Sequence, residues 1–462
     1  MRSVSLCFAA VMVLVACDPT SPSTDGGVDP EPTPVDDSGT PPDDGGVSVD
    51  DSGVSVEPDA GVDNDDAGVV DIADVCAPLP PPTGNTINVT PADVDTLVDD
   101  VRNASTGDVF VLAPGTYVLD GILQFRAPGV TLRSSTDNAA DVILDGDRVV
   151  AELMQITADD VTIAHVTLAR AVDHAVHVTA NEADTLRTVL HGVHIVDCGE
   201  QFVKINSGGD QSHFADDGVV SCSTFTMTDD GRPHVERNPG GCYTGGIDAH
   251  RARGWNVHHN HFEGIYCAGE GLAEHAVHFW RGSRDTVVDS NTIRNCARGV
   301  GFGLTDNGDR RVYDDEPDVG YIGHLDGVVV NNRIFADIAY YDTGVELNSA
   351  HGAVVVHNTV FSTSSATGFY SSIDRRFAST DVVLQNNLVR RLTDRGGAAD
   401  LVGNVETTDE AVFADLGTLT PAAGANTVVD QGTAHSSVSV DAVGTPRPQG
   451  GGVDVGAIEL LP

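Results

Sequence analysis

The sequence predicts an all-β solenoid, in which short strands wind into coils that stack on one another. Three observations predict it. Five segments share one form: VHHNHF (257–262), VDSNTI (288–293), VVNNRI (329–334), VVHNTV (355–360) and VLQNNL (383–388). Each carries Asn at its fourth position, and Asn260, Asn291, Asn332, Asn358 and Asn386 are spaced by 31, 41, 26 and 28 residues. Between them lie β-branched runs and turns with almost no helical periodicity, and a strand-only period in the twenties marks a solenoid.

An Asn at one place in each coil has a structural use. Its amide offers both donor and acceptor, so stacked copies satisfy a bend and one another. Two earlier segments, IAHVTL (163–168) and LHGVHI (190–195), fit the strand pattern with Val where the Asn would stand. The body opens near Cys76. Thr90 is a good N-cap, Pro91 suits the first helical position, and Val94, Leu97, Val98 and Val101 follow at helical spacing. A short amphipathic helix is predicted over about 91–103, covering the open end of the solenoid. GDVFVLAPGTYVLDG (107–121) then reads as strand, turn and strand.

Two segments precede the body. Residues 1–17 carry a basic start at Arg2 and an apolar run ending in Leu14, Val15, Ala16 and Cys17. The run is too short to span a bilayer and reads as a secretory signal. Its end resembles the lipobox of bacterial lipoproteins, which implies lipidation at Cys17. Residues 18–75 hold 17 acids, no basic residue and no aromatic residue. Such a segment cannot bury enough apolar area to offset its ordering entropy, so it reads as a disordered acidic tether with an r.m.s. reach of roughly 40 Å. Residues 76–462 are the solenoid. The chain is expected to be exported and lipid-anchored to the cell envelope or outer surface, touching membrane only through that anchor, and monomeric.

Net charge is −44, and the body alone carries 52 acids against 24 basic residues. That argues against nucleic acid, whose phosphates need cationic neutralisation. An anionic glycan remains admissible with a local cation or bound Ca²⁺. Six cysteines remain beyond Cys17, an even number that suggests disulfides in an exported chain. Cys222 with Cys242, inside one irregular insertion, is the easiest pair, and Cys267 with Cys296 is a second. Connectivity stays open. No G-x-S-x-G elbow or P-loop occurs.

The helix cap, the GDVFVLAPGTY opening, the Asn column and the closing VDVGAIEL (453–460) resemble pectate-lyase-like proteins. The resemblance implies a single-stranded right-handed parallel β-helix over about 76–462. Reaction is left open, because that superfamily includes lyases, hydrolases, epimerases and adhesins.

Alternation along strands then nominates a site. With Val203, Ile205, Ile247, Val277, Phe279, Val345 and Ile373 inward, Lys204, Asp248, His278 and Glu346 form an outward polar column, flanked by Asn206, His250, Trp280 and Asn348. Lys204 is the only lysine. It would be kept for a lowered pKa and would serve as the base of a lyase, with an incidental surface lysine the alternative. Asp248 and Glu346 would hold Ca²⁺, and His278 or His250 would serve as acid. AEHAVHFWRGSRD (273–285) adds Arg281 and Arg284 for carboxylates and Trp280 for a sugar ring. HHNH (258–261) is not expected to bind metal, since alternate residues cannot meet one ion. The insertions 207–243 and 305–325 would wall the groove, the latter with Asp306, Asp309, Asp314 and Asp315 as an acidic loop. The expected function is handling of an extended polysaccharide: a lyase on a uronic-acid glycan, a hydrolase using Asp248 with Glu346, or a non-catalytic binding module.

Overall fold

Three short strands make one coil of this chain. In one coil Val176–Ala180 leads through a loop to Val189–His191, a two-residue corner follows, and His194–Val196 completes the turn. The computed structural model describes residues 75–209, 211–236, 241–269, 271–363 and 371–462. The secretory signal, Cys17 and the tether over residues 18–74 lie outside the described residues. Each strand pairs in parallel with its counterparts one coil away, which gives sheets of 14, 11 and 10 strands along the body. This is the all-β parallel β-helix that the repeat predicted. No helix among the described residues is long and apolar enough to cross a membrane.

The ten-stranded sheet carries the site. Its strands are β1 (Leu123–Phe125), β2 (Met154–Ile156), β3 (Val176–Ala180), β4 (Gln201–Ser207), β5 (Gly245–His250), β6 (His275–Trp280), β7 (Arg298–Phe302), β8 (Thr343–Asn348), β9 (Ser371–Arg376) and β10 (Leu392–Arg395). Two apolar columns point inward. Val176, Val203, Ile247, Val277, Val300, Val345 and Ile373 stack in register in one of them. Ile156, Val178, Ile205, Ala249, Phe279, Phe302 and Leu347 stack in the other. A residue between the two columns must face out, because successive strand side chains alternate.

Corners between the second and third strands are stereotyped. His165, Gly192, Cys222, His259, Ser290, Asn331, His357 and Asn386 hold left-handed φ of 53–60° there. The next residue carries the ladder. The amide of Asn260 donates to Asn291, Asn291 to Asn332, Asn332 to Asn358 and Asn358 to Asn387, each at 3.0 Å, and Asn387 continues to Asn404 at 2.9 Å. The ladder residue of VLQNNL is thus Asn387, and Asn386 takes the left-handed position. Asn suits both places, since its short amide tolerates that backbone, so the doublet hid the register.

The helix (α1, Val94–Arg102) buries Leu97, Val98 and Val101 against the first coils. A 3-10 turn at Pro91–Asp93 precedes it, and the Asp93 carboxylate accepts from Thr90 N at 2.8 Å and Oγ1 at 2.7 Å. A strand before it, Thr86–Val89, pairs with Val109–Leu112 and had no clear signal in the sequence. At the far end Phe413, Leu419, Val428 and Val455 pack on Phe335, Phe361 and Leu388 as a second apolar cluster.

Two expectations need correction. The insertion 207–243 contains a regular strand pair, Val219–Ser221 and Thr224–Thr226, joined by a Cys222–Ser223 corner. Without Asn at that corner the coil was invisible in the repeat. The disulfides are Cys76–Cys222 and Cys242–Cys267, while Cys198 and Cys296 are buried thiols. Cys222 faces outward where the entering chain crosses the corners, held by Arg133 to the Leu79 and Pro80 carbonyls and by His191 to that of Ala77. That crossing delivers Cys76 across 146 residues. Cys242–Cys267 ties together the loops that lead into β5 and β6, beside the site.

Candidate functional site

One outward column runs through the middle of the ten-stranded sheet. In register it reads Gln124, Gln155, His177, Lys204, Asp248, His278, Gly301, Glu346, Asp374 and Thr393. Lys204, Asp248 and His278 therefore stand on adjacent strands. Glu346 is separated from them by Gly301. A methyl group at Gly301 would lie 2.7 Å from the His275 ring, so glycine leaves the space that His275 occupies.

Asp248 is the hub. Lys204 Nζ donates to its Oδ2, His250 Nε2 lies 3.2 Å from the same oxygen, and Trp280 Nε1 donates to Oδ1 at 2.8 Å. His278 Nδ1 is 3.2 Å from Oδ1 without hydrogen-bond alignment. Lys204, Asp248 and His278 are only 6, 4 and 1 % exposed. Burial pulls the Lys204 pKa down, but the Asp248 carboxylate beside it outweighs that and raises it. Burial pushes Asp248 up, and Lys204 and His250 hold it well below the carboxylate range. The expected lowering of the Lys204 pKa is therefore reversed, because a buried cation with an in-line carboxylate keeps its proton. His250 is pushed down to about 4, first by burial and then by the charge of Lys204, 3.3 Å away. It is neutral at neutral pH. Trp280 packs parallel to the His278 ring at 5.4 Å, and the Arg281 guanidinium sits 4.6 Å from the Trp280 centroid.

The comparisons bear on the fold. No protein-family model and no curated protein matches the chain. Among solved structures, pectate lyase Pel9A is similar at 13 % identity and a TM-score of 0.51, over 82 % of this chain and 96 % of that one. The chain shares its fold with this lyase. An alginate lyase from Paenibacillus sp. str. FPU-7 is similar at 16 % identity and TM-score 0.43, over 69 % and 97 % of the two chains. PfbA, a surface adhesin of Streptococcus pneumoniae, is similar at 11 % identity and TM-score 0.42, over 69 % and 89 %.

Several nominated residues do not converge. Asp248 and Glu346 are three strand steps apart, roughly 14 Å at sheet spacing. Glu346 instead accepts from His275 Nε2 at 2.7 Å, with Arg376 at 3.7 Å and Arg298 at 3.9 Å. The two carboxylates can neither grip one Ca²⁺ nor act as a glycosidase pair, which needs about 5–10 Å. Two of the four acids nominated in the 305–325 loop are committed to arginines, Asp309 to Arg251 and Asp315 to Arg284. Arg284 leaves the site: it lies in the strand Ser283–Arg284 of a different sheet and pairs with Asp315 and Asp326. Asn348 is fully buried, with its amide 3.4 Å from the Leu304 carbonyl, so it offers no edge to a sugar. Asn206 is half-buried beside His177 Nε2 at 3.3 Å. Among the described residues Glu274, His275 and His278 alone form a group whose ligand atoms approach one another within 4.8 Å. Two imidazoles and one carboxylate are not a calcium donor set, which is oxygen.

Sequence reasoning missed two histidine–carboxylate pairs on the coils below Lys204. His177 Nδ1 is 2.8 Å from Glu152 and His174 Nε2 is 3.3 Å from Glu200. Burial, then the nearby Asp173 and Glu236 carboxylates, raise Glu200 to about 7. A signal did exist: HAVH occurs at both 174–177 and 275–278. The register places the two copies at equivalent positions three coils apart.

Proposed function

We propose that this chain acts on an extended uronic-acid polysaccharide laid along the ten-stranded sheet, as a lyase. The observation that carries the reading is the Lys204–Asp248–His250 cluster beside Trp280 and Arg281, on one outward face of a parallel β-helix. A lyase must neutralise the uronate carboxylate and accept the proton beside it. Lys204 and Arg281 supply positive charge. His250, neutral and partly exposed, is the proton acceptor in place of Lys204. The electron pair released by that C–H bond expels the glycosidic oxygen of the next sugar. Glu200, raised to about 7 by burial, is the acid assigned to return a proton to it, and an unsaturated uronide results. Trp280 donates its indole N–H to Asp248 and carries the Arg281 guanidinium over its ring, which keeps that charge beside the cluster. No ion is assigned a step in this reaction.

Incubation with pectate, alginate and glycosaminoglycans tests it. The reading expects ultraviolet-absorbing unsaturated uronide from one of them, lost in His250→Ala and Lys204→Ala variants. No absorbing product from any uronate polymer would sink it. The mutual satisfaction and deep burial of Lys204, Asp248 and His278 favour a second reading, a glycan-binding module without catalysis. Binding on a glycan array that survives His250→Ala but not Trp280→Ala would support that reading.

Export and lipid anchoring at Cys17 belong to the same proposal. Two disulfides fit an oxidising compartment. Metabolic labelling with a fatty acid, abolished by Cys17→Ala, is the expected outcome.

A further inference from the structure

The upper HAVH copy contains an electrostatic problem. His275 Nε2 meets the Glu346 carboxylate at 2.7 Å, and His278 Nε2 meets the Gly303 carbonyl at 3.1 Å. A carbonyl and an ionised carboxylate can only accept, so both rings carry a proton on Nε2. That leaves both Nδ1 atoms to find partners. Neither has a hydrogen bond, and the two residues are 0 and 1 % exposed. The rings are 4.4 Å apart, and His278 Nδ1 lies 3.8 Å from Glu274 Oε2 and 3.2 Å from Asp248 Oδ1. Glu274 and the two rings thus bring one ligand atom each within 4.8 Å of the others, with both Nδ1 atoms left without an aligned hydrogen bond.

We propose that Glu274, His275 and His278 are the ligands of a divalent transition metal of the zinc class. Two imidazole nitrogens and one carboxylate are a common three-ligand set for such a metal, with a further position open. Metal–nitrogen bonds of about 2.0–2.1 Å would bring ligand atoms to roughly 3.4 Å from one another, so small side-chain rotations close the site. The outer shell is already built. Metal-bound histidines almost always give their other N–H to a carboxylate or a backbone carbonyl, the roles Glu346 and Gly303 play here. Gly301 makes room for the His275 ring, and Glu274, partly exposed, gives the ion a way in. The site stands without the lyase reading, since metal affinity is measured with no substrate present.

The test uses the chain stripped with a chelator and repurified. Zn²⁺ retained after gel filtration is counted by mass spectrometry, and Co²⁺ is titrated while visible absorbance is followed. Stoichiometric Zn²⁺ and Co²⁺ bands of a nitrogen-ligated site are expected, undisturbed by millimolar Ca²⁺. Glu346→Gln should weaken binding about 10–100-fold. His275→Ala with His278→Ala should abolish it, and His258→Ala with His261→Ala should leave it unchanged. Folded wild-type chain that retains no Zn²⁺ and gives no Co²⁺ bands overturns the proposal, as does equal retention by a folded double variant. Should the double variant not fold, the Co²⁺ spectrum of the wild type decides alone.

Discussion

The two HAVH segments have the same side chains, the same sheet and equivalent registers, yet opposite states. In the lower copy three of the four imidazole nitrogens have a hydrogen bond. His174 Nδ1 bonds the Gln201 carbonyl at 2.7 Å and its Nε2 faces Glu200 at 3.3 Å, while His177 lies between Glu152 and Asn206. In the upper copy His275 and His278 each leave Nδ1 without a hydrogen bond. What differs is the coil stacked next to each. Lys204 follows His177 in the column and feeds charge into that region. Gly301 follows His278 and withdraws a side chain, so His275 turns into the space and reaches Glu346. Identical sequence thus leaves one imidazole nitrogen without a hydrogen bond in one place and two in the other, both of them Nδ1.

The largest expected effect breaks the hub between the two copies. Asp248→Ala leaves the Lys204 cation buried and unpaired, which should cost about 3–5 kcal/mol in urea denaturation. A loss below about 1 kcal/mol would show that Lys204 reaches water after all. Next is the scaffold that fixes the register of both copies. Asn332→Ala removes one rung of the ladder and strands buried donors and acceptors, so a loss of about 1–3 kcal/mol is expected by the same measurement.

Acid should come third. His324 and His357 are pushed down to about 3, and His174 to about 4, in each case first by burial. Folded values below the unfolded value near 6.5 mean that the unfolded chain binds more protons in that window. Stability is therefore full above about 6.5 and falls as pH drops toward 3. A melting temperature unchanged between pH 7 and 4 would contradict this. The smallest effect separates the copies through Glu200. Its raised value near 7 means that the folded state keeps a proton the unfolded chain releases above about 4.5, so its contribution is lost as pH rises to 7. Glu200→Gln should stabilise the chain at pH 8 and change little at pH 4. Equal effects at both would place Glu200 in water.

Much of this was legible in the sequence, because much of it depends on two short-range rules. Alternation along a strand fixes which residues face out, so Lys204, Asp248 and His278 could be placed in one column. The Asn corner recurs within a coil, so it announced the solenoid. Its failures were local ambiguities: Asn386 and Asn387 suit adjacent places, and Ser223 disguised a whole coil.

The rest was decided between coils. The pKa of Lys204 follows from a carboxylate 44 residues away, and Cys76 pairs with a cysteine 146 residues away. His275 meets Glu346 across 71 residues only because Gly301 stands between them. Side-chain direction is a property of the strand and is written in the order of residues. Charge state, disulfide partner and ligand geometry are properties of what the next coils place within a few ångströms, and that distance exists only once the chain has wound.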